Sequence, residues 1–254
     1  MKKHGTWILT ILMILSLKTV AEPAFDWPVG KEGESPVTYE NYQQVIQDLI
    51  AQNIYAVIAQ YGKPVVINDQ WDTNYFGAGS LQREGFFDIM LTGGYARSPG
   101  NSVQILALTV CHEMGHILGG EPRQSSQVAG SEWASAEGQA DFYAASVCLP
   151  LYFKNHPEQI PAADESVKKI CGGNNICEAI AQTGEMYIHF AGTYFPDLKG
   201  DVDPQIETPA PPAAELIRDS YPSFQCRLDT FVTGALCQSG VVAGDCKAPR
   251  CWNP

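Results

Sequence analysis

The segment from Val103 to Leu118 is apolar on almost every side, yet its second half carries His112, Glu113 and His116. Ser98, Pro99, Gly100, Asn101 and Ser102 make a turn and a capping site before it, and Gly119 and Gly120 stop it. That pattern predicts a helix buried at the centre of the fold. Residues four apart lie on one helical face about a turn apart, so both imidazoles can reach a common point, with the Glu113 carboxylate beside them. Burying two imidazoles and a carboxylate with no compensating cation is costly. The rest of the chain is constrained to fold around this segment.

His112, Glu113, Met114, Gly115 and His116 spell H-E-x-x-H, a pattern that presents two histidines to one metal ion. A catalytic zinc needs a third protein ligand and an open position for water. An extension to H-x-x-G-x-x-H finds Gly119 in place but puts Pro122, which cannot bind a metal, at the ligand position. The other arrangement takes a glutamate from the following helix and an aspartate four residues later. Glu137, Gly138, Gln139, Ala140 and Asp141 supply it, with both carboxylates on one helical face. Glu137 is then the third ligand, and Asp141 accepts a hydrogen bond from a ligand histidine and fixes its tautomer. Glu121 and Glu132 are rival ligands that would need a sharper chain reversal.

The chain starts with two lysines, an apolar run from Trp7 to Leu17 and a polar stretch ending at Ala21, the pattern of a signal peptide over residues 1–21. The run is too short to span a bilayer comfortably. No later segment is long and apolar enough to do so, and the expectation is no stable membrane insertion once the leader is cleaved. The formal charge is -12, and the leader carries lysines but no acids, so the mature chain is more acidic still. Such a surface argues against nucleic acid as a partner.

All eight cysteines lie beyond the leader, which favours disulfides in an oxidising compartment, secreted or periplasmic. No C-x-x-C pair supports a cysteine zinc site. Eight cysteines allow 105 pairings. Cys171 with Cys177 and Cys246 with Cys251 are the easiest to close, and Cys111 and Cys148 are placed to bridge the two site helices.

Elsewhere, apolar positions recur every three or four residues from Tyr39 to Tyr61, predicting a long helix stopped by Gly62. Pro64–Ile67 and Phe86–Thr92 read as strands with a polar loop between them. A second site helix is expected from about Glu132 to Leu149, capped by Ser131 and ended by Pro150, and a further one near Glu178–His189. Residues 201–212 read as a proline-rich loop. The expected organisation is a single domain over residues 22–254 with a cysteine-rich tail from about 221.

H-E-M-G-H and E-G-Q-A-D together resemble the gluzincin metallopeptidases, in particular the HtpX-type peptidases and their soluble secreted or periplasmic relatives. Asn74, Tyr75, Phe76 and Gly77, followed by the strand ending at Gly93, are similar to that group's loop and substrate-side edge strand. Tyr221, Pro222, Ser223 and Arg227 resemble its H-P-x-x-x-x-R, with Tyr221 where the family has a histidine that helps stabilise the transition state. A phenol can donate to a developing oxyanion as an imidazolium does. His156 and Pro157 form another H-P pair, with Ala162 at the arginine position. His189 is a further possible donor, and a plain ion pair of Arg227 with Asp229 or Asp219 is the structural alternative.

The resemblance implies an α+β, zincin-like fold with two central site helices on a small sheet and a disulfide-stapled C-terminal region. It implies a zinc-dependent endopeptidase acting on a peptide or protein substrate, with His112, His116 and Glu137 as ligands to Zn2+, Glu113 as general base, and Tyr221 and Arg227 as catalytic residues. A secreted binding protein on an inactive scaffold and an amidase acting on cell-wall peptides are the competing expectations.

Overall fold

The computed structural model describes residues 35–125, 127, 130–199, 203–240 and 246–254, and the expected signal peptide lies outside them. The apolar periodicity near the start becomes helix α1, Tyr39–Tyr61. Thr38 caps it by accepting from the Asn41 N–H, and Gly62 ends it at φ 69°, a left-handed conformation that costs glycine little. Its buried face, including Tyr42, Val45 and Leu49, lies on the core, and the Tyr42 hydroxyl donates to the Leu91 carbonyl at 2.6 Å.

Three strands follow: β1 Val65–Ile67, β2 Ala78–Gln82 and β3 Phe87–Leu91. They form a mixed sheet in the order β1-β3-β2, with β1 parallel and β2 antiparallel to β3. This corrects the sequence reading at one point that matters. The strand expected to be the substrate-side edge, β3, is central and buried in alternation, while the edges are β1 and β2, and the one beside Glu113 is β2, drawn from the stretch read as a polar loop. No β2 residue is fully buried, so its sequence lacks the alternation that marked β3.

A short helix α2, Gly93–Arg97, leads to the central helix α3, Val103–Leu118, whose bounds match the sequence expectation. Ser102 caps α3 by accepting from the Ile105 N–H, and every residue from Ile105 to Ile117 is buried. The second site helix starts later than expected, with α4 at Glu137–Tyr143, because residues 131–136 make a turn and an extended bridge to Arg123. It also runs past Pro150. A π-helical turn over Ala144–Cys148 precedes α5, Leu149–Asn155. The Leu149 N–H bonds back to the Ala144 carbonyl, five residues away, and this wider turn relieves the crowding that the proline ring would cause.

Helices α6 (Glu165–Cys171), α7 (Asn175–Tyr194), α8 (Pro196–Lys199) and α9 (Phe224–Ser239) complete the fold. The C-terminal region expected to be a stapled tail is therefore built around a helix, α9, packed against α7 and α4. The expected bridges Cys111–Cys148 and Cys171–Cys177 form. Cys246–Cys251 does not: Cys226 pairs with Cys251 and Cys237 with Cys246. Sequence proximity favoured the local loop, but α9 brings Cys226 to Cys251, and with it buries Trp252. Among the described residues no helix is long and apolar enough to cross a membrane.

On α7, Glu185 faces Asp164, the N-cap of α6. Burial, then the hydrogen bond and charge of Asp164, push the Glu185 carboxyl up to about 7, while Asp164 is held low by its capping bonds, so one proton is shared. A raised carboxyl withholds nothing at low pH and costs stability as pH rises from the unfolded value through the folded one. Solvent screening of this half-exposed pair holds the cost to about 1 kcal/mol. Glu185→Gln is thus expected to equal the wild type near pH 4 and exceed it by that amount at pH 8 in urea unfolding.

Candidate metal centre

Helices α3 and α4 cross where H-E-x-x-H meets E-x-x-x-D, and Gly115 sets how closely. A Cβ on Gly115 would stand 2.5 Å from the Ala140 carbonyl oxygen and 2.8 Å from its Cα. These are backbone atoms, so a side chain there would push the helices apart. Gly115→Ala is expected to cost about 1–3 kcal/mol in thermal or urea unfolding. It should also weaken metal uptake, since Glu137 would retreat from the histidines.

With the helices in contact, Oε2 of Glu137 lies 3.2 Å from Nε2 of His112 and 3.6 Å from Nε2 of His116. Nδ1 of His116 is 2.8 Å from the Ser135 carbonyl, an acceptor, so that nitrogen carries the proton. Nδ1 of His112 is 2.7 Å from Oδ1 of Asp141. Burial alone would raise the Asp141 carboxyl, but Arg227 and His112 hold it down at about 2, so it is ionised and accepts from His112. Each ring therefore uses Nδ1 on a partner away from Glu137 and turns Nε2 toward the Glu137 carboxylate oxygen. Glu137 Oε2 itself is buried and has no hydrogen-bond donor, one of two such side-chain atoms among the described residues.

With Nε2 unprotonated on both rings, three acceptors face one another, which is unfavourable unless a cation sits between them. Bonds of about 2.0–2.1 Å at tetrahedral angles separate neighbouring donors by about 3.3–3.4 Å, and the two contacts, at 3.2 and 3.6 Å, lie just to either side of that range. The electrostatics agree. Burial opposes a charge on His112, yet Asp141 and Glu137 carry its pKa well above the ordinary histidine range, so the site favours a cation, either a proton on Nε2 or a metal ion in its place. Glu137 is held below the usual carboxylate range because His116, His112 and Arg227 outweigh its burial. The residues fit a metal ion.

Ligating atoms of His112, Glu113 and His116 also lie within 4.8 Å of one another, which makes Glu113 a second candidate carboxylate. The two differ in their other partners. Glu113 accepts a hydrogen bond from Ser80 on β2, whereas the Glu137 oxygen has no donor and sits nearer to both rings. Glu137 thus offers a carboxylate oxygen with no other partner, while Glu113 lines a cleft beside the two rings. That cleft is lined by Tyr75, Gly77, Ala78, Tyr187, Phe195 and Tyr221 among others, so the Asn74–Gly77 stretch does reach the site. No known protein family, curated protein or solved structure matches this chain.

Arg227 is not paired with Asp229 or Asp219. It is buried, and its Nε and Nη2 donate to the two oxygens of Asp141, each at 2.7 Å. Its Nη1 donates to the Tyr187 hydroxyl at 3.0 Å. Tyr221 stands half-exposed at the cleft, its ring 5.3 Å from the guanidinium. The rival residues go elsewhere: Glu121 is exposed beside Arg123, Glu132 is exposed, His156 contacts Asp48, and His189 lines a different hollow with Glu185. Sequence reasoning missed Ser80, Ser135 and Tyr187. Ser80 lay in a stretch without strand periodicity, Ser135 acts through its backbone, and Tyr187 is one aromatic among several on α7.

Proposed function

We propose that the chain is a zinc-dependent peptidase of the gluzincin kind, secreted or periplasmic, with His112, His116 and Glu137 as metal ligands. The observation that carries this reading is the orphaned Glu137 oxygen between two imidazole lone pairs, beside a second carboxylate, Glu113, that opens on a cleft. Four-coordinate nitrogen and oxygen ligation with one position left for water favours zinc. A zinc ion there supplies a Lewis acid and lowers the pKa of water toward about 7.

The residues of the chain divide the remaining work. Glu113, fixed by Ser80, takes a proton from the attacking water as its oxygen bonds to the scissile carbonyl carbon. When the carbon–nitrogen bond breaks, Glu113 returns that proton to the leaving nitrogen, giving a carboxylic acid and an amine, and the acid's proton then passes to the amine to leave a carboxylate and an ammonium group. Asp141 keeps His112 in the tautomer that presents Nε2 to the metal. Arg227 holds Asp141 and touches no reacting atom, so it is a positioning residue. Ser80 lies mid-way along β2, so an extended peptide paired to the outer edge of β2 would pass Glu113. The exposed rings of Tyr75, Phe195 and Tyr221 favour an apolar side chain in the cleft.

The test is metal removal and return. The purified protein is expected to hold one zinc per chain and to cleave members of a broad peptide pool. Chelation should abolish cleavage and lower the thermal midpoint, and one equivalent of zinc should restore both. Full zinc loading with no cleavage across the pool would sink the peptidase reading in favour of a binding protein.

A further inference from the structure

The cleft beside His112 and Glu113 carries three phenols, Tyr95, Tyr187 and Tyr221, and donor–acceptor accounting separates them. The Tyr95 hydroxyl lies 2.5 Å from the Thr109 hydroxyl. Thr109 spends its one proton on the Ile105 carbonyl at 2.9 Å, so Tyr95 must donate to Thr109, and its proton is committed. Tyr187 is the reverse case. Its oxygen faces Nη1 of Arg227, and a guanidinium has donors only, so the phenol oxygen accepts and its own proton is free to point elsewhere. Among the described residues no acceptor is set against that proton. Among the described residues the Tyr221 hydroxyl makes no hydrogen bond; its ring contacts Arg227 and the carboxylates of Glu137 and Glu113 act on it, but no donor or acceptor holds it.

A transition state gains most from a donor that is already aimed and held, because nothing must reorganise as charge develops. Tyr187 lines the cleft and is held by Arg227. It is the end of a chain of short bonds that starts on a metal ligand: His112 to Asp141 at 2.7 Å, Asp141 to Arg227 at 2.7 Å, and Arg227 to Tyr187 at 3.0 Å. The same guanidinium thus fixes the tautomer-setting carboxylate and the phenol. Its centre also lies 5.0 Å from the Tyr187 ring centroid, which braces the ring.

We propose that Tyr187, and not Tyr221, donates the hydrogen bond that stabilises the oxyanion formed on the scissile carbonyl, with Arg227 positioning it. This rests on the peptidase reading above. It reassigns a role that the sequence pattern gave to Tyr221 to a residue on another helix.

The experiment compares zinc-loaded wild type, Tyr187→Phe and Tyr221→Phe. Its probes are a quenched fluorescent peptide centred on phenylalanine and a phosphinic peptide of the same side chains, whose phosphinyl oxygens mimic the oxyanion. Tyr187→Phe is expected to keep one zinc per chain and its KM within about threefold. It should lose about 10²-fold in kcat and about as much affinity for the phosphinic peptide. Tyr221→Phe keeps the ring that lines the cleft, and should lose clearly less than Tyr187→Phe in both kcat and phosphinic affinity. If Tyr187→Phe fails to hold zinc, Tyr187→His supplies another donor and should recover most of the phosphinic affinity.

The inference is overturned if Tyr187→Phe retains phosphinic affinity within threefold, or if the loss appears in Tyr221→Phe instead. A zinc-loaded wild type that neither cleaves the peptide nor binds the phosphinic probe overturns the peptidase reading itself. Those failures are distinguishable, because the last shows in the wild type before any variant is made.

Discussion

Glu113→Gln should hold a full equivalent of zinc and hydrolyse peptides about 10²–10⁴-fold more slowly than the wild type, the range set by loss of a general base. Glu137→Ala should hold little zinc under the same dialysis and show no cleavage above background. The asymmetry follows from the contacts. Glu113 is tied to Ser80, and changing its oxygen to an amide leaves the two Nε2 atoms and the Glu137 oxygen where they are. Removing Glu137 deletes the carboxylate oxygen that sits within 3.6 Å of both imidazoles and has no other partner, and leaves two neutral ligands, too few for a stable tetrahedral site. Metal analysis by mass spectrometry and a peptide-pool assay on the same preparations check both. If the two variants hold equal zinc, Glu137 is not a ligand; if Glu113→Gln is the one that loses metal, the two carboxylates exchange roles.

The parts of this centre that were legible in sequence are those whose chemistry lies on one helix at fixed spacing. His112 and His116 share a face because they are four apart, and Glu137 and Asp141 do so for the same reason, so each pair could be placed before any fold was known. That the two helices meet depends on Gly115 lying against Ala140, which a spacing argument cannot supply. What was lost is what long-range packing decides. The outer strand β2 is made of half-exposed residues and carries no period, so the edge was assigned to the better-patterned β3. The pairing of Cys226 with Cys251 depends on α9 folding back against α4, and chain proximity pointed to Cys246 instead. Pro150 looked like a helix stop because the π turn that accommodates it leaves no mark in the residue pattern.

The Asp141–Arg227 pair offers the largest expected change in stability. Both side chains are buried, and each oxygen of Asp141 takes a guanidinium bond while Oδ1 also receives His112. Removing one partner leaves the other charge unpaired in the core, which typically costs about 3–5 kcal/mol. Asp141→Leu and Arg227→Leu should each lose stability of that order in urea unfolding at neutral pH. The double substitution removes both charges and should recover most of the loss, since an apolar pair of similar volume is often neutral in a core. Metal affinity should not follow stability. Any variant lacking Asp141 frees the His112 ring to turn and change tautomer, a loss of about 10–100-fold in affinity, and the double variant shares it. A double variant that regains stability yet still binds zinc weakly would separate the two duties of Asp141, charge partner of Arg227 and orienter of His112. Recovery of zinc affinity together with stability would mean that the His112 ring is oriented by its packing on α3 alone, and that Asp141 serves the fold rather than the metal.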